Sequence, residues 1–247
     1  MGLLDLFKSK KQTGPLSLDW MEVDMHSHLI PGIDDGSKSL NESIELIKRL
    51  QGYGLRKLIT TPHVMTEFYK NTPEIISEGL TKVQEALKKE GIAIEIEAAA
   101  EYYLDEIFNE KLEKGEPLLT FGDNHILIET GFINKPRMLQ ETFFALETKG
   151  YKPIFAHPER YLYLHQDPEL FDSLIEKGVL FQMNLLSLTG YYSKPVKQLA
   201  EKMIDRKAIK FVGTDCHNHR YLDALQHLPN SKYYSKLKAL TLSNPQL

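Results

Sequence analysis

The sequence predicts an α/β fold in which strand–helix units are repeated along the chain and close into a barrel. Short apolar runs rich in β-branched residues alternate with longer segments in which apolar residues recur every three to four positions. Strands separated by helices pair in parallel through right-handed crossovers, which leaves an open doubly wound sheet or a closed barrel. Seven predicted units favour the barrel, and a chain of 247 residues is long enough to form it as one domain.

Each element has a local sequence signal. The strands are apolar runs bounded by polar or turn-forming residues, at 23–26, 57–61, 93–99, 126–129, 153–156, 180–184 and 209–214. Ser39, followed three residues later by Glu42, predicts a capping box at the start of a helix that Gly52 ends. Thr72-Pro73 and Asp167-Pro168 open two further helices in the same capped manner. The remaining helices are predicted at 135–149, 195–206 and 232–240.

Composition and charge exclude several classes of protein. Thirty Lys and Arg against 34 Asp and Glu give a net charge of −4, so bulk charge does not favour a nucleic-acid partner. The single cysteine, Cys216, excludes an intrachain disulfide. No apolar stretch approaches the roughly 20 residues that span a bilayer, and the first residues run apolar before basic, the reverse of a secretory signal. We therefore expect a cytoplasmic protein without integral membrane association.

The chain divides into a leader, residues 1–20, and one catalytic domain, residues 21–247. The leader is lysine-rich and reaches Gly14-Pro15 before the first predicted strand. It could be a frayed terminus, or its apolar helical face could contact a membrane or a partner. We find no flexible linker or repeat in the rest of the chain that would separate a second domain.

Histidines and carboxylates cluster at the carboxyl ends of the predicted strands. His26 and His28 end the first strand, and residues i and i+2 of an extended chain point the same way, so both can bind one ion. Asp215 and His217 repeat this spacing after the last strand. The strands between them end in, or are followed by, His63, Glu101, Glu129 and His157. Since all these ends meet on one face of a parallel barrel, they predict a metal site for Zn, Mn or Fe.

Other residues of these types are expected to be structural. A lone histidine is more often a satisfied packing residue than a ligand, and Cys216 is expected to pack in the core. The histidines in this class are His125, His165, His219 and His227. The chain has no phosphate-binding loop, His-Glu-x-x-His or Gly-x-Ser-x-Gly motif, and Leu222 stands where a cysteine-dependent phosphatase needs arginine.

Seven motifs, in order, resemble the PHP (polymerase and histidinol phosphatase) superfamily. The resemblance is greater to its bacterial tyrosine-protein phosphatases, the CpsB/CapC family of capsule and exopolysaccharide operons. The motifs are Asp24-Met-His-Ser-His28, Asp34-Asp-Gly36, Thr61-Pro-His63, Ala100-Glu-Tyr-Tyr103, Ile128-Glu129, Ala156-His-Pro-Glu-Arg160 and Thr214-Asp-Cys-His-Asn218. They extend over nearly all of the chain from Met21 to about Leu228.

The resemblance implies a distorted (β/α)7 TIM-like barrel of the PHP type with three divalent metal ions. Mn is expected, with Fe, Co or Zn as alternatives. The implied ligands are His26, His28, Glu101 and Asp215 for one ion; Glu101 as a bridge, Glu129 and His157 for the second; and Asp35, His63 and His217 for the third. The resemblance further implies that Arg160 binds the phosphate, and Arg220 is the candidate for a second arginine of this kind. The alternative for Arg160 is an exposed residue paired with Glu159.

The function implied is that of a metal-dependent protein-tyrosine phosphatase. Its expected partner is a phosphotyrosine-containing protein, an autophosphorylated bacterial tyrosine kinase that controls capsule or exopolysaccharide synthesis. Two alternatives stay open: a histidinol-phosphate or other small-molecule phosphatase of the same superfamily, and a non-catalytic protein that binds phosphotyrosine. The sequence does not indicate an oligomeric state.

Overall fold

The computed structural model describes residues 15–247, in which strands and helices alternate. The strands of this part are β1 Val23–Asp24, β2 Lys57–Thr60, β3 His63–Val64, β4 Glu95–Ala98, β5 Glu101–Tyr103, β6 His125–Glu129, β7 Lys152–Ala156, β8 Leu180–Asn184 and β9 Ile209–Gly213. Its α-helices are α1 Leu40–Gly52, α2 Pro73–Lys89, α3 Glu106–Lys114, α4 Leu139–Thr148, α5 Leu162–Gln166, α6 Pro168–Glu176, α7 Lys194–Asp205, α8 His219–Leu225 and α9 Tyr234–Lys238. The α/β class predicted from the sequence is confirmed.

The strands form two parallel sheets in place of the single continuous sheet expected. One sheet has the order β1-β2-β4, and the other has the order β3-β5-β6-β7-β8-β9. Every strand pair in both sheets is parallel. The predicted strands 57–61 and 93–99 therefore cover only β2 and β4, and the short strands β3 and β5 that follow them belong to the second sheet.

Pro62 accounts for the division between the sheets. A proline has no backbone N–H to donate, so it interrupts the ladder between two central strands. Single bonds persist on either side of it, where Ala99 N donates to Thr60 O over 2.9 Å and Glu101 N donates to Pro62 O over 3.1 Å. Because the chain direction is kept across the break, β3 and β5 continue outward and carry their side chains to the same face of the molecule.

The capped helices begin where the sequence predicts. Thr72 and Asp167 each accept a bond from the backbone of the first turn of α2 and α6, and Ser39 Oγ accepts from Glu42 N over 3.3 Å. The other half of the predicted capping box differs, since Glu42 Oε2 accepts from Lys38 N at 2.9 Å. None of the helices in the described range combines the length and the apolarity needed to cross a membrane.

Three helices were not predicted: α3, α5 and α8. Helix α3 has clear signals in hindsight, because Asp105 caps its start and Gly115 ends it in the left-handed conformation. Helices α5 and α8 are short, at 5 and 7 residues, so their apolar period is too brief to read. Helix α4 starts four residues later than predicted, since Pro136 disfavours helix in the residue before it.

Apolar side chains form two clusters on opposite sides of the strands. The larger lies between the strands and the helices. The smaller is enclosed by the strands themselves and consists of Val23, Met25, Ile59, Ala99, Phe121, Leu127, Ile154, Ala156 and Phe211. Since β1 and β2 of one sheet and β6, β7 and β9 of the other contribute to it, the two sheets share one inner core.

The segment before β1 is partly packed against this framework. Leu16 and Leu18 are buried, and Leu18 N donates to Tyr53 O at the end of α1 over 2.7 Å. Most of the leader proposed from the sequence, residues 1–14, lies outside the described residues.

Candidate metal centre

The nine predicted ligands lie together at the carboxyl ends of the strands. His63 begins β3 and Glu101 begins β5, and the two residues are directly paired in register. The others follow β1, end β6, follow β7 and follow β9, and Asp35 approaches from the loop that precedes α1. All of them are buried except Asp35, whose side chain is 53% exposed.

Glu101 stands at the middle of the cluster. Its Oε2 lies 3.1 Å from His26 Nε2 and 3.1 Å from His63 Nδ1, and its Oε1 lies 3.1 Å from His157 Nε2. One fully buried carboxylate thus contacts three imidazoles from three different strand ends at 3.1 Å, and a fourth, His28 Nε2, lies 3.5 Å from Oε2. Both of its oxygens are therefore available to separate ions.

The other carboxylates each lie between two or three imidazoles. Asp215 Oδ1 is 3.4 Å from Nε2 of both histidines that follow β1 and 3.4 Å from His217 Nδ1. Asp35 Oδ1 is 3.4 Å from His63 Nε2 and 3.5 Å from His217 Nε2. Glu129 is 3.4 Å from His63 Nδ1 and 3.7 Å from His157 Nε2. Among the described residues that line the cavity over this cluster, Arg160 is the one strong base, so carboxylate charge is concentrated at this point.

These donor atoms fit divalent cations. Four overlapping groups have donor atoms within 4.8 Å of one another: His28, Asp35, His63 and His217; His26, His28 and Glu101; His26, His157 and Asp215; and His63, Glu101 and Glu129. His26 Nε2 and His28 Nε2 face each other at 3.4 Å, and His63 Nδ1 is buried without a hydrogen bond. Mixed imidazole and carboxylate donors with unused lone pairs suit a transition-metal site.

The electrostatics of the cluster favour a cation for a second reason. Burial, together with the neighbouring Glu101 carboxylate, raises the pKa of Glu129 well above its usual value. Burial alone would raise the pKa of Glu101 as well, but the imidazoles of His26 and His63 outweigh it and hold that pKa well below its usual range. Burial and the charge of Arg160 lower the pKa of His157 to about 4, so its ring is neutral, as a ligand must be.

Hydrogen bonds to Nδ1 orient three of the histidine rings. His28 Nδ1 donates to Asp34 Oδ2 over 2.7 Å, His26 Nδ1 donates to Gln182 Oε1 over 3.0 Å, and His217 Nδ1 donates to the Asp215 carbonyl over 2.8 Å. With the Nδ1 proton held outside, each ring presents the lone pair of Nε2 to the centre.

Sequence reasoning missed Asp34, Gln182 and Asn184 as supporting residues. Gln182 Oε1 also accepts from His157 N at 3.2 Å, and Asn184 Nδ2 donates to Asp215 Oδ2 over 2.7 Å. A signal was present, because Gln182 and Asn184 end β8 with the same i, i+2 spacing as the ligands. Asp34 stands beside Asp35 in the quoted motif.

The backbone is strained at two ligands and crowded at one loop. His157 has φ 30° and Asp215 has φ 51°, in the left-handed region that disfavours residues with a Cβ. His157 comes one residue after the end of β7 and Asp215 two residues after the end of β9, so the change in backbone direction turns their side chains into the cluster. At Gly36 a Cβ would lie 2.3 Å from His28 O, so only glycine lets this loop pass close enough to bring Asp34 and Asp35 to the histidines.

The alternative interpretation expected an exposed Arg160 paired with Glu159, but the structure shows Arg160 paired with Asp215. Its Nη1 donates to Asp215 Oδ2 over 2.9 Å, and its guanidinium lies 4.6 Å from the ring centre of Phe132 and 4.4 Å from that of Tyr192. Glu159 points the other way and is fully buried, where Oε1 accepts from Asn184 N and Ser187 Oγ. The reason is the tight turn over Pro158–Arg160, which directs the two neighbouring side chains to opposite sides.

A cavity of about 190 Å³ opens over the centre. Six of the predicted ligands and Arg160 line its floor and walls, and the aromatic rings around it are Tyr69, Phe132 and Tyr221. Tyr69 stacks on His63 with ring centres 5.5 Å apart, and Tyr221 lies 5.0 Å from His217. The cavity therefore has the Arg160 cation and several carboxylates at its base and aromatic rings at its sides.

The structure does not bring Arg220 into this cavity. Its side chain is exposed on the first turn of α8, where Asn218 caps the helix and Arg220 N donates to Asn218 Oδ1. The role expected for Arg220 stays a prediction. Cys216 is fully buried, and burial raises the pKa of its thiol well above the usual value, so it is not available as a thiolate nucleophile.

The sequence and the structure were compared with known proteins. Residues 22–235 match the family model described as capsular polysaccharide synthesis, CpsB/CapC. The chain belongs to the CpsB/CapC family. Within that family it is similar to the tyrosine-protein phosphatase YwqE of Bacillus subtilis, with 33% identity over 196 residues that cover 79% of this chain and 77% of the relative.

Solved structures agree with membership of the CpsB/CapC family. One comes from work on YwqE from Bacillus subtilis and CpsB from Streptococcus pneumoniae, described as unique metal-dependent tyrosine phosphatases; it superposes with a TM-score of 0.80 at 31% identity and covers 91% of this chain and 93% of its own. A histidinol phosphate phosphatase from Lactococcus lactis, complexed with zinc, L-histidinol and phosphate, has a TM-score of 0.52 at 13% identity over 84% of this chain and 91% of its own. The second likeness shows a shared fold only.

Proposed function

We propose that this CpsB/CapC family protein is a metal-dependent protein-tyrosine phosphatase that hydrolyses phosphotyrosine. The observation that carries the proposal is the cluster of nine imidazole and carboxylate side chains, six of which line one cavity together with Arg160. A phosphate monoester dianion repels nucleophiles, so its hydrolysis depends on positive charge placed around the phosphoryl oxygens. The activity named for YwqE supports the same class of reaction.

Three divalent ions are proposed, with Mn as the first candidate and Fe, Co or Zn as alternatives. The first would be held by His26, His28, Glu101 and Asp215, the second by Glu101, Glu129 and His157, and the third by Asp35, His63 and His217. The short distances from Glu101 to three imidazoles support its assignment as the bridge between two ions. When bound, such ions supply positive charge and Lewis-acid activation of water.

The side chains around the cavity have separate tasks in this proposal. Arg160 uses one N–H on Asp215, and its remaining donors bind phosphoryl oxygens, which a planar guanidinium does as a fork. Phe132 and Tyr192 hold the plane of the guanidinium in place. Asp34, Gln182 and the Asp215 carbonyl keep the protons of three histidines on Nδ1. The aromatic side chains around the cavity, Tyr69, Phe132 and Tyr221, exclude water from the phosphoryl group and pack against an aryl ring.

An aryl phosphate suits this site better than an alkyl phosphate. A tyrosyl leaving group has a pKa of about 10, so it needs less protonation on departure than a serine alkoxide would. The proposed physiological partner is an autophosphorylated tyrosine kinase that controls capsule or exopolysaccharide synthesis in the cytoplasm. The description of the matching family, capsular polysaccharide synthesis, supports that context.

The two sheets are proposed to be parts of one distorted (β/α)7 barrel of the PHP type. The inner apolar core that both sheets share supports this arrangement. So does the parallel bridge between Ser27 and Cys216, which joins the chain just after β1 to the chain just after β9. In this proposal the barrel is distorted where the hydrogen-bonded ladder is interrupted at Pro62, between β2 and β3.

Turnover of two substrates, with and without a chelator, tests the proposed function. We expect a phosphotyrosine peptide to be hydrolysed much faster than histidinol phosphate, and EDTA to abolish that activity. Faster turnover of histidinol phosphate would indicate a small-molecule phosphatase. Binding of the phosphopeptide without turnover, in protein loaded with metal, would indicate a non-catalytic phosphotyrosine-binding protein.

A further inference from the structure

A second cavity of about 350 Å³ lies beside the catalytic cavity. Met65 lines both, so the two are continuous across a single side chain. The rest of the second cavity is formed by the loop after β3, the end of β5 and the first turn of α3. It contains none of the predicted metal ligands.

The spacing along two strands explains this position. His63 and Glu101 are paired in register, and the residues two positions farther along their strands are Met65 and Tyr103. In an extended chain these point the same way as the ligands, so they stand immediately outside the metal centre. Met65 is held there by paired backbone bonds with Tyr69, of 2.9 and 2.8 Å. The turn between them has three residues, Thr66–Phe68, and carries the side chain of Phe68.

The walls of the second cavity are apolar and its rim is acidic. Phe68 is 73% exposed and Ile107 is 39% exposed, although both are large apolar side chains. Exposed apolar groups gathered around a cavity are typical of a binding surface. Asp105 caps α3, which leaves Glu67 and Glu106 as free charges at the rim. Among the described residues that line this cavity, none is basic.

We propose that the second cavity is a peptide subsite that binds an apolar side chain next to the phosphotyrosine of the substrate, preferably beside a lysine or arginine. The inference rests on the proposed phosphatase function. The catalytic cavity holds about 190 Å³, enough for the phosphoryl group and its ring but not for neighbouring residues, which must cross the rim. Met65 makes the apolar surface continuous from the catalytic cavity to the second cavity, and the charges of Glu67 and Glu106 attract a basic residue of the peptide.

The test compares two phosphotyrosine peptides with a small aryl phosphate. One peptide carries leucine and lysine next to the phosphotyrosine, the other carries glycine and aspartate, and p-nitrophenyl phosphate has no flanking residues. The wild-type protein is expected to prefer the first peptide in kcat/KM by about tenfold, the scale of one apolar contact. Phe68→Ala should reduce this preference to about twofold through KM and leave p-nitrophenyl phosphate unchanged.

Phe144→Ala is the matched control. Phe144 is 70% exposed, on α4, and lines a different cavity that shares no residue with the second one. This variant should keep the full preference. Glu67→Lys should instead lower kcat/KM for the lysine-containing peptide. It should leave kcat/KM unchanged for a peptide that carries leucine without lysine. The two results distinguish the effect of the acidic rim from that of the apolar wall.

The inference is overturned if the wild type shows no preference, if Phe68→Ala keeps it, or if Phe68→Ala lowers turnover of p-nitrophenyl phosphate equally. A wild-type protein that hydrolyses none of the three substrates would contradict the proposed phosphatase function instead. In that event, binding of the same two peptides with a non-hydrolysable phosphotyrosine analogue decides the subsite. Equal affinity of the wild type for both would reject it.

Discussion

Arg160 donates to Asp215 and lies between the rings of Phe132 and Tyr192, with 18% of its side chain exposed at the cavity. The acidic groups around it, Tyr192, Asp215 and Glu129, outweigh the effect of burial and raise the pKa of Arg160, so it is a cation. A lysine at this position would keep the charge. It could not keep both the bond to Asp215 and a two-pronged contact with phosphate.

Arg160→Lys is therefore expected to lower kcat/KM for a phosphotyrosine peptide by roughly 30- to 1000-fold, the scale of removing one preorganised donor. Metal content and thermal stability should stay close to those of the wild type, because the ligands are all intact. Steady-state kinetics, metal analysis and a melting curve on the same preparation check this. Arg137→Lys, at an exposed position, is the control. Near-normal turnover of Arg160→Lys would show that the guanidinium is not a phosphate clamp.

Glu101 and Asp35 differ in their surroundings and should differ in their effect on metal binding. Glu101 is fully buried and contacts four imidazoles, three of them at 3.1 Å, whereas Asp35 is half exposed and reaches two at 3.4 and 3.5 Å. We expect Glu101→Ala to lose metal from two sites and Asp35→Ala from one only, with residual turnover in the second variant. Metal analysis of the purified variants measures the difference. Equal metal contents would mean that Glu101 does not bridge two ions.

At the scale of elements, the first and last strands are joined at two places. After the carboxyl ends, Asp215 N donates to His26 O over 2.8 Å and Ser27 pairs with Cys216. Between the strands themselves, the side-chain amide of the buried Asn244 bridges the two backbones, donating to Val23 O at the start of β1 over 2.9 Å and to Val212 O near the end of β9 over 2.7 Å. Its Oδ1 also accepts from Val212 N at 2.9 Å.

Asn244→Ala should consequently lower the free energy of unfolding by about 2–4 kcal/mol, since it leaves three buried backbone groups without partners. Urea unfolding measures the change, and a chelator should be present so that bound metal does not contribute. Asn230→Ala removes an exposed amide and is expected to change stability by less than about 0.5 kcal/mol. Equal midpoints for the two variants would show that water satisfies these backbone groups as well as Asn244 does.

At the scale of the whole molecule, the candidate metal centre brings the ends of six of the nine described strands to one point. The candidate ligands come from strands of both sheets, and all of their side chains except that of Asp35 are buried. Bound ions would compensate the carboxylates and connect β1, β3, β5, β6, β7 and β9. An ion that binds only the folded protein also stabilises it by mass action.

Removal of metal with EDTA is expected to lower the melting temperature as well as activity. Ions present at about 100 times their dissociation constant contribute about 2.7 kcal/mol each, which corresponds to a shift of about 5–10 °C for a chain of this size. Scanning calorimetry with and without EDTA, followed by addition of Mn, Fe or Co, measures the effect and its reversal. A melting temperature that EDTA leaves unchanged would argue that no ion binds at the ligands.

The candidate ligands could be found from the sequence because the information was local. The i, i+2 spacing of His26 with His28, and of Asp215 with His217, places each pair on one side of an extended chain whatever the rest of the molecule does. The parallel pairing of strands then places their carboxyl ends together. Gln182 and Asn184 share this spacing, but their neutral amides are not metal-ligand types, and only the fold shows that Gln182 meets His26 across 156 residues of chain.

The sequence by itself determined the α/β class, the capped starts of α1, α2 and α6, the alternation of strands and helices along the chain and the candidate ligands at the strand ends. Only the tertiary structure decided that Pro62 divides the strands between two sheets, that Arg160 pairs with Asp215 and not with its neighbour Glu159, and that His157 and Asp215 adopt left-handed backbone conformations. The physical reason is the distance along the chain over which the deciding interactions act. Strand period and helix capping are set by bonds within a few residues, whereas the direction of a buried side chain is set by whichever charges and carbonyls the distant chain brings within hydrogen-bonding distance.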